Sequence, residues 1–259
     1  MFSLRPDGEK SIQIGVIDSG KYKGEKIFIE RPEYPDPDAC VVDLGKDCLS
    51  PFPIGRVTYI SGPAGAGKST MAAILLRNFL KLHKKSDIYM FSRKNAKEDP
   101  AYKGLNIIQV RLDSSLVEHP VSVDNIDDGS IVVFDDIGTI TDKGIEDAVE
   151  LLARDIMEVG RHKNIHIIVT THITNDHKPL YKTLTVELHT FIFFPSAGAL
   201  RPIVNFLERY FYYDKKEIKK ILEINRNKEF AWTLVKRTTP QLLMHKHGCE
   251  FINHFLDDL

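Results

Sequence analysis

The chain predicts an α/β fold: a mostly parallel central sheet flanked by helices, with a β-rich N-terminal segment and a small C-terminal α+β extension. Three observations predict it. From Arg56 onward, short apolar runs alternate with helical stretches, as in βαβ units. The first run leads into a glycine-rich loop and an amphipathic stretch. A later run, Ile131 to Phe134, ends in two aspartates. The 259 residues are 42% hydrophobic and 27% charged, which argues against disorder. With 35 Lys+Arg against 36 Asp+Glu there is no global basic field, so any contact with nucleic acid or a membrane surface must be local. The length suits one domain with appendages or two small ones, and would cramp a helicase with two tandem motor domains.

Residues 1–53 read as β-rich, because SIQIGVID and KIFIERP flank the turn-forming SGKYKG before the proline-rich ERPEYPDPD breaks regularity. The core, residues 54–200, offers the strands RVTYISG, DIYMFS, NIIQVRL, SIVVFDD, NIHIIVTTH and HTFIFFP. Residues 201–259 add a helix through Tyr213, a charged helix KKEIKKILE and the strands FAWTLVKR and QLLMHKHGCEFI, expected to pack on the core with Trp232 and the Tyr210–Tyr213 run. Two helices follow from periodicity. Met71, Ile74, Leu75, Phe79 and Leu82 form one stripe, with the cations of KLHKK where the helix dipole favours them. Ile145, Ala148, Val149, Leu152, Ile156 and Val159 form the other, with Gly160 as the expected cap and Arg154 opposite, facing solvent. Cys40, Cys48 and Cys249 make no paired framework, so reduced thiols are expected. The start, MFSLRPDGEK, lacks the apolar core of a signal peptide, and runs such as Phe191 to Phe194 are too short to span a bilayer.

The loop Gly62, Pro63, Ala64, Gly65, Ala66, Gly67, Lys68, Ser69, Thr70 fits G-x-x-x-x-G-K-[ST] between an apolar strand and an amphipathic helix, the context that pattern requires. Gly62, Gly65 and Gly67 are expected to adopt backbone conformations closed to other residues, turning successive N–H groups onto phosphate oxygens at a helix N-terminus. Lys68 would bridge the β- and γ-phosphates of ATP, and the Ser69 hydroxyl would ligate Mg2+. Asp135, delivered to the C-terminal edge of the sheet, is the Mg2+ partner. Its neighbour Asp136 is placed to orient and deprotonate the attacking water, or else simply begins the loop.

Other nucleotide-binding classes fit less well. A GTPase needs N/T-K-x-D, and the nearest string, NKEF at Asn227, lacks the aspartate. The LSGGQ signature of ABC ATPases is absent. A nucleotide kinase would carry an arginine-rich lid, whereas the stretch from Thr174 to Thr190 holds no arginine. Together with the phosphate loop and VVFDD, the segment GRHKNIHIIVTTH, Gly160 to His172, resembles the FtsK/HerA superfamily of pumping ATPases, above all the genome-packaging ATPases of poxviruses and other nucleocytoplasmic large DNA viruses. The resemblance runs from Arg56 to about Phe194. It implies a RecA-like P-loop NTPase core, with the strand from Ile165 to Thr170 between the phosphate-loop strand and the aspartate strand. It also implies a homo-oligomeric ring, a pentamer or hexamer, threading double-stranded DNA, capsid or membrane-associated vertex proteins as partners, and a location in host cytoplasm, viral factory or virion. A nucleotide-dependent switch or assembly protein that moves nothing is the alternative.

The chain departs from that family twice. Asp136 stands where glutamate is common, and His172 where the strand commonly ends in Thr-Gln. An imidazole can hydrogen-bond a γ-phosphate or the attacking water as an amide does, and it titrates near neutrality, so His172 is the candidate sensor, with Thr171 the alternative. Arg161 precedes the strand that ends at His172; about five residues at roughly 3.3 Å each keep it from its own nucleotide. It is therefore the candidate arginine finger in trans, with Arg154 next in line; pairing with Glu158 or capping the helix end is the structural alternative. His245, His247 and Cys249, on one face if the segment is a single strand, with His254 nearby, offer a weak zinc set. Lys215, Lys216, Lys219 and Lys220 read as a solvated face that could also touch DNA phosphates.

Overall fold

The computed structural model describes residues 2–3, 11–16, 23–30, 56–172, 179–223, 231–237, 241–245 and 248–251. The chain divides into two compact units, Met1–Pro53 and Ile54–Leu259. In the first, β1 (Phe2–Ser3), β2 (Ser11–Val16) and β3 (Lys26–Glu30) form an antiparallel sheet of order β1-β3-β2. Gly24 takes φ 88° in the turn before β3, a value L side chains rarely adopt. Cys40 and Cys48 lie outside the described residues.

The second unit runs β4 (Val57–Ser61), α1 (Lys68–Leu82), β5 (Ile88–Ser92), β6 (Ile108–Arg111), α2 (Ser115–Glu118), β7 (Ile131–Phe134), α3 (Lys143–Glu158) and β8 (His166–Thr171). It continues with α4 (Pro179–Glu187), β9 (Thr190–Phe193), α5 (Leu200–Phe211), α6 (Lys215–Glu223), β10 (Thr233–Lys236), β11 (Leu242–His245) and β12 (Gly248–Phe251). The strands form one sheet of order β12-β11-β10-β9-β4-β8-β7-β5-β6. It is parallel from β9 to β6, and β10, β11 and β12 extend it antiparallel. β8 lies between β4 and β7, so the loop after β4 and the aspartates after β7 flank the same strand end.

Both faces of the central strands are buried, the reason their sequences read as continuous apolar runs rather than alternating ones. One face carries Tyr59, Phe91, Phe134, Val169, Phe191 and Phe193 into a cluster with Leu152 and Ile156 of α3 and Phe206 and Phe211 of α5. Its aromatic rings stack in series, Tyr59 on Phe191 at 5.4 Å and Phe191 on Phe193 at 5.1 Å. On α1, Met71, Leu75 and Phe79 are buried, and Phe79 packs on His166 of β8.

Several expectations need correction. Leu82 is 47% exposed and Val159 52% exposed, so each predicted stripe stops before its last member. Gly160 is not a left-handed cap. The chain passes from α3 into a 3-10 turn, Gly160–Lys163, and Asn164 at φ 58° ends it, a conformation asparagine tolerates. Arg154 does not face solvent; it is half-buried and its Nε is fully enclosed. Tyr212 is 81% exposed and takes φ 58° as the residue ending α5, so only its neighbours Tyr210, Phe211 and Tyr213 pack. On α6, Ile218, Ile221 and Leu222 are buried while Lys215, Lys216, Lys219 and Lys220 lie on the exposed face. The single strand expected from QLLMHKHGCEFI is a hairpin, with His245 opposite Gly248 and Met244 opposite Cys249. The side chain of Cys249, like His247 and His254, lies outside the described residues, so the zinc set expected there falls on them.

Candidate active site

The loop between β4 and α1 takes its shape from its glycines in two ways. Gly67 adopts φ 104° at the start of α1, and Gly65 φ 77°. Gly62 instead has no unusual φ; a Cβ there would stand 2.8 Å from the Phe194 ring, so close approach rather than left-handed backbone explains it. The Gly62 N–H donates to Thr171 O at 3.2 Å, tying the loop to the end of β8. Lys68 opens α1 and is 9% exposed. Its Nζ donates to Gly62 O at 2.8 Å and Pro63 O at 3.1 Å, and lies 3.2 Å from His172 Nδ1.

The aspartates sit where β7 ends. Thr170 Oγ1 donates to Asp135 Oδ1 at 2.9 Å, and Ser92 Oγ reaches Asp135 Oδ2 at 3.4 Å. The Asp136 N–H donates back to Thr170 Oγ1 at 2.9 Å. Asp136 holds φ 56°, the left-handed region that aspartate tolerates better than glutamate does, a local reason for the shorter acid here. Its Oδ2 is 2.8 Å from His172 Nε2, while its Oδ1 is buried with no partner among the described residues. His172 therefore joins Lys68 to Asp136 through both ring nitrogens. A neutral imidazole carrying its proton on Nε2 satisfies both contacts, donating to Asp136 and accepting from Lys68.

These groups line an open cavity of about 610 Å3 together with Ala64, Gly65, Ser69 and Thr70 of the loop and residues 94–96 and 99–102. Burial pushes the Lys68 ammonium below the usual lysine range, partly opposed by Asp136 and Asp135. Burial likewise pushes the Asp135 carboxyl up, against the Thr170 hydrogen bond and with the charge of Asp136 adding to it. Each charge is thus held where it is poorly solvated, and a polyanion beside Lys68 and a cation beside Asp135 would relieve both. Among the described residues no three His, Cys, Asp or Glu side chains converge on a metal. Mg2+ takes one or two protein oxygens and completes its shell with phosphates and water, and Ser69 and Asp135 are the side chains of this site that could hold it.

The structure thus brings Lys68, Ser69, Asp135, Asp136 and His172 together. Thr171 points elsewhere: it is buried, and its Oγ1 pairs with Tyr59 OH at 2.8 Å inside the core. Arg161 lies in the 3-10 turn before β8, at the opposite end of that strand from His172. It is exposed, forms no ion pair with a described residue and does not cap α3, whose last carbonyls Ile156 O and Met157 O are bound by Arg56. Sequence reasoning missed Thr170 and Ser92, which orient Asp135, and the whole wall from Lys94 to Tyr102. A hydroxyl at the end of each strand flanking the aspartate strand is the signal that marks the first two.

No known family profile matches the chain. It is 34% identical over 236 residues to "Uncharacterized protein V3" of Sputnik virophage, covering 90% of this chain and 93% of that protein. Among solved structures it is similar to the genome packaging NTPase B204 of Sulfolobus turreted icosahedral virus 2 in complex with ATP-gammaS, at TM-score 0.50 and 12% identity, over 73% of this chain and 95% of that one. The cytoplasmic domain of the type VII secretion ATPase EccC of Thermomonospora curvata matches at TM-score 0.48 and 12% identity, over 93% of this chain and 29% of that one. The P-loop NTPase fold is shared at a level of identity where side-chain roles have to be argued from this chain.

Proposed function

The chain belongs to the family of the Sputnik virophage protein V3, and from that premise we propose that it is a Mg2+-dependent ATPase working as a homo-oligomeric motor on double-stranded DNA, packaging a viral genome. The observation that carries the catalytic part is the line from Lys68 through His172 to Asp136, with contacts of 3.2 and 2.8 Å, beside Asp135 and the phosphate loop. Loop amides and Lys68 hold the β- and γ-phosphates of ATP; Lys68 has phosphate oxygens as stronger partners than the two carbonyls it now binds. Ser69 and Asp135 would hold Mg2+, which would supply neutralisation of phosphate charge. Asp136 orients the attacking water and accepts its proton, and His172 fixes that carboxylate while sensing, through Lys68, whether phosphate is present. The DNA part is supported by the GRHKNI string and by the naming of B204 as a genome packaging NTPase.

The test is ATP hydrolysis by the purified full chain with Mg2+, with and without double-stranded DNA. Stimulation by DNA is expected; hydrolysis indifferent to DNA under every assembly condition would leave a nucleotide switch as the better description. Arg161 supplies the assembly prediction, because it is exposed and far from its own nucleotide. Arg161→Ala should abolish the rise of activity with protein concentration while leaving ATP affinity intact. Rings mixed from Asp136→Asn and Arg161→Ala subunits should recover activity where an intact site meets an intact arginine. No recovery in rings shown to be mixed would make Arg161 structural.

A further inference from the structure

The cavity wall facing the phosphate loop is a segment that no motif announces. After β5 the chain makes two 3-10 turns, Ala96–Glu98 and Pro100–Tyr102. Each is capped by the residue before it: Asn95 Oδ1 accepts from Lys97 N at 3.1 Å, and Asp99 Oδ1 from Ala101 N at 2.9 Å. Arg77 of α1 donates to Ala101 O at 2.8 Å and Lys103 O at 3.1 Å, clamping the second turn onto the helix whose first turn carries Lys68 and Ser69. The clamp fixes Tyr102, which is 3% exposed and lines the cavity.

The Tyr102 hydroxyl is buried and completes no hydrogen bond among the described residues. Ser69 stands beside it as a hydrogen-bonding neighbour whose geometry falls short of a formed bond, and Asp135 and Asp99 are within electrostatic reach. Burial first, and the Asp135 carboxylate after it, push the phenol far above the usual tyrosine range. A buried hydroxyl left open is costly, and here it lies next to the two side chains assigned to Mg2+.

We propose that Tyr102 is a positioning residue for the metal–phosphate assembly at Ser69 and Asp135, its hydroxyl linking Ser69 to an oxygen bound in the cavity. The inference rests on the nucleotide reading above. A serine hydroxyl that gives a lone pair to a cation keeps its proton and needs an acceptor, and the Tyr102 oxygen is adjacent. The phenol proton is then free for an oxygen of phosphate or of metal-bound water, which satisfies the group that is open now. Groups behind the ligands set how well the ligands hold their cation, and their loss costs about tenfold to a hundredfold in metal affinity.

Tyr102→Phe removes one oxygen and keeps the ring that fills the wall. Binding of a fluorescent ATP analogue to the full chain is titrated against Mg2+, and repeated in EDTA. The variant should need about tenfold more Mg2+ for half-maximal metal-dependent binding, with unchanged affinity in EDTA and an unchanged melting temperature. An identical Mg2+ curve, or equal loss with and without metal, overturns the role of Tyr102 while leaving the nucleotide site standing. Absence of analogue binding by the unsubstituted chain removes the nucleotide reading itself, and this inference with it.

Discussion

The two ends of β4, β7 and β8 are built to opposite rules. At their carboxyl ends Lys68, Asp135 and Asp136 converge with His172, two of them charged against the preference of a buried site and one with a left-handed backbone. At their amino ends Arg56, Lys163 and His189 are bound within the fold, while Thr58 Oγ1 and Ser130 Oγ stay buried with no partner among the described residues. Arg56 binds Ile156 O, Met157 O and Glu187, and Lys163 reaches Val123 O at 3.2 Å, Ile126 O at 2.7 Å and Asp128 at 3.5 Å. His189 Nδ1 accepts from Val57 N at 3.3 Å, and burial together with the nearby Arg56 holds its imidazole below the usual histidine range, the neutral form that this contact requires. The open end leaves the Lys68 and Asp135 charges poorly solvated and Asp136 Oδ1 without a partner among the described residues, and the closed end ties up the Arg56 and Lys163 cations, so substitutions of these groups should differ in sign as well as size.

The largest effects belong to the open end. Asp136→Asn, which suits the same backbone, should lower kcat by roughly 10²- to 10⁴-fold with nucleotide affinity nearly unchanged. Lys68→Ala should weaken nucleotide binding about 10²-fold. Equal loss of binding in both would break the division of roles. At the closed end Arg56→Ala should lower stability by about 1–3 kcal/mol in thermal unfolding, because Ile156 O and Met157 O lose the guanidinium donor and Glu187 its ion pair, and leave nucleotide affinity within about twofold.

Asp135→Asn should do the reverse, raising the melting temperature of the nucleotide-free protein by the equivalent of about 0.5–2 kcal/mol while removing Mg2+-dependent binding. The sign follows from the raised carboxyl: its stability is present when Asp135 is protonated and is lost as pH rises through its range. The advantage of the variant should therefore shrink toward acid pH. A lowered melting temperature at neutral pH would show that the Thr170 hydrogen bond outweighs burial. The smallest effect is expected from His172→Gln, with activity kept within a few-fold, because an amide can still hydrogen-bond Asp136 and Lys68. A loss as large as that of Asp136→Asn would show that the imidazole itself is required.

Much of this contrast is legible in the sequence where the chemistry has a fixed spacing. The phosphate loop and the run ending in Asp135 and Asp136 declare both their residues and their place at strand ends, because βαβ connectivity leaves few alternatives. The period of α1 and α3 gives their buried faces but not where each face ends, since Leu82 and Val159 keep the pattern and are exposed nonetheless. The choice between His172 and Thr171 was open in sequence because adjacent strand residues point to opposite faces, and only the pairing of Thr171 with Tyr59 decides which face is which. Tyr102 and Thr170 were silent for a related reason: their importance lies in contacts across 33 and 35 positions, with Ser69 and Asp135 respectively. The hairpin at His245 to Gly248 was hidden because its residues lack the glycine–asparagine signal of a tight turn.

The central claim is that hydrolysis at the open end is converted into movement of double-stranded DNA. A single DNA molecule held under load reports this directly when full-chain assemblies are added with ATP and Mg2+. The native protein should shorten the tether at a rate that rises with ATP, and assemblies of Asp136→Asn should bind ATP and leave its length unchanged. Sustained hydrolysis by native assemblies on a tether whose length never changes would contradict the claim.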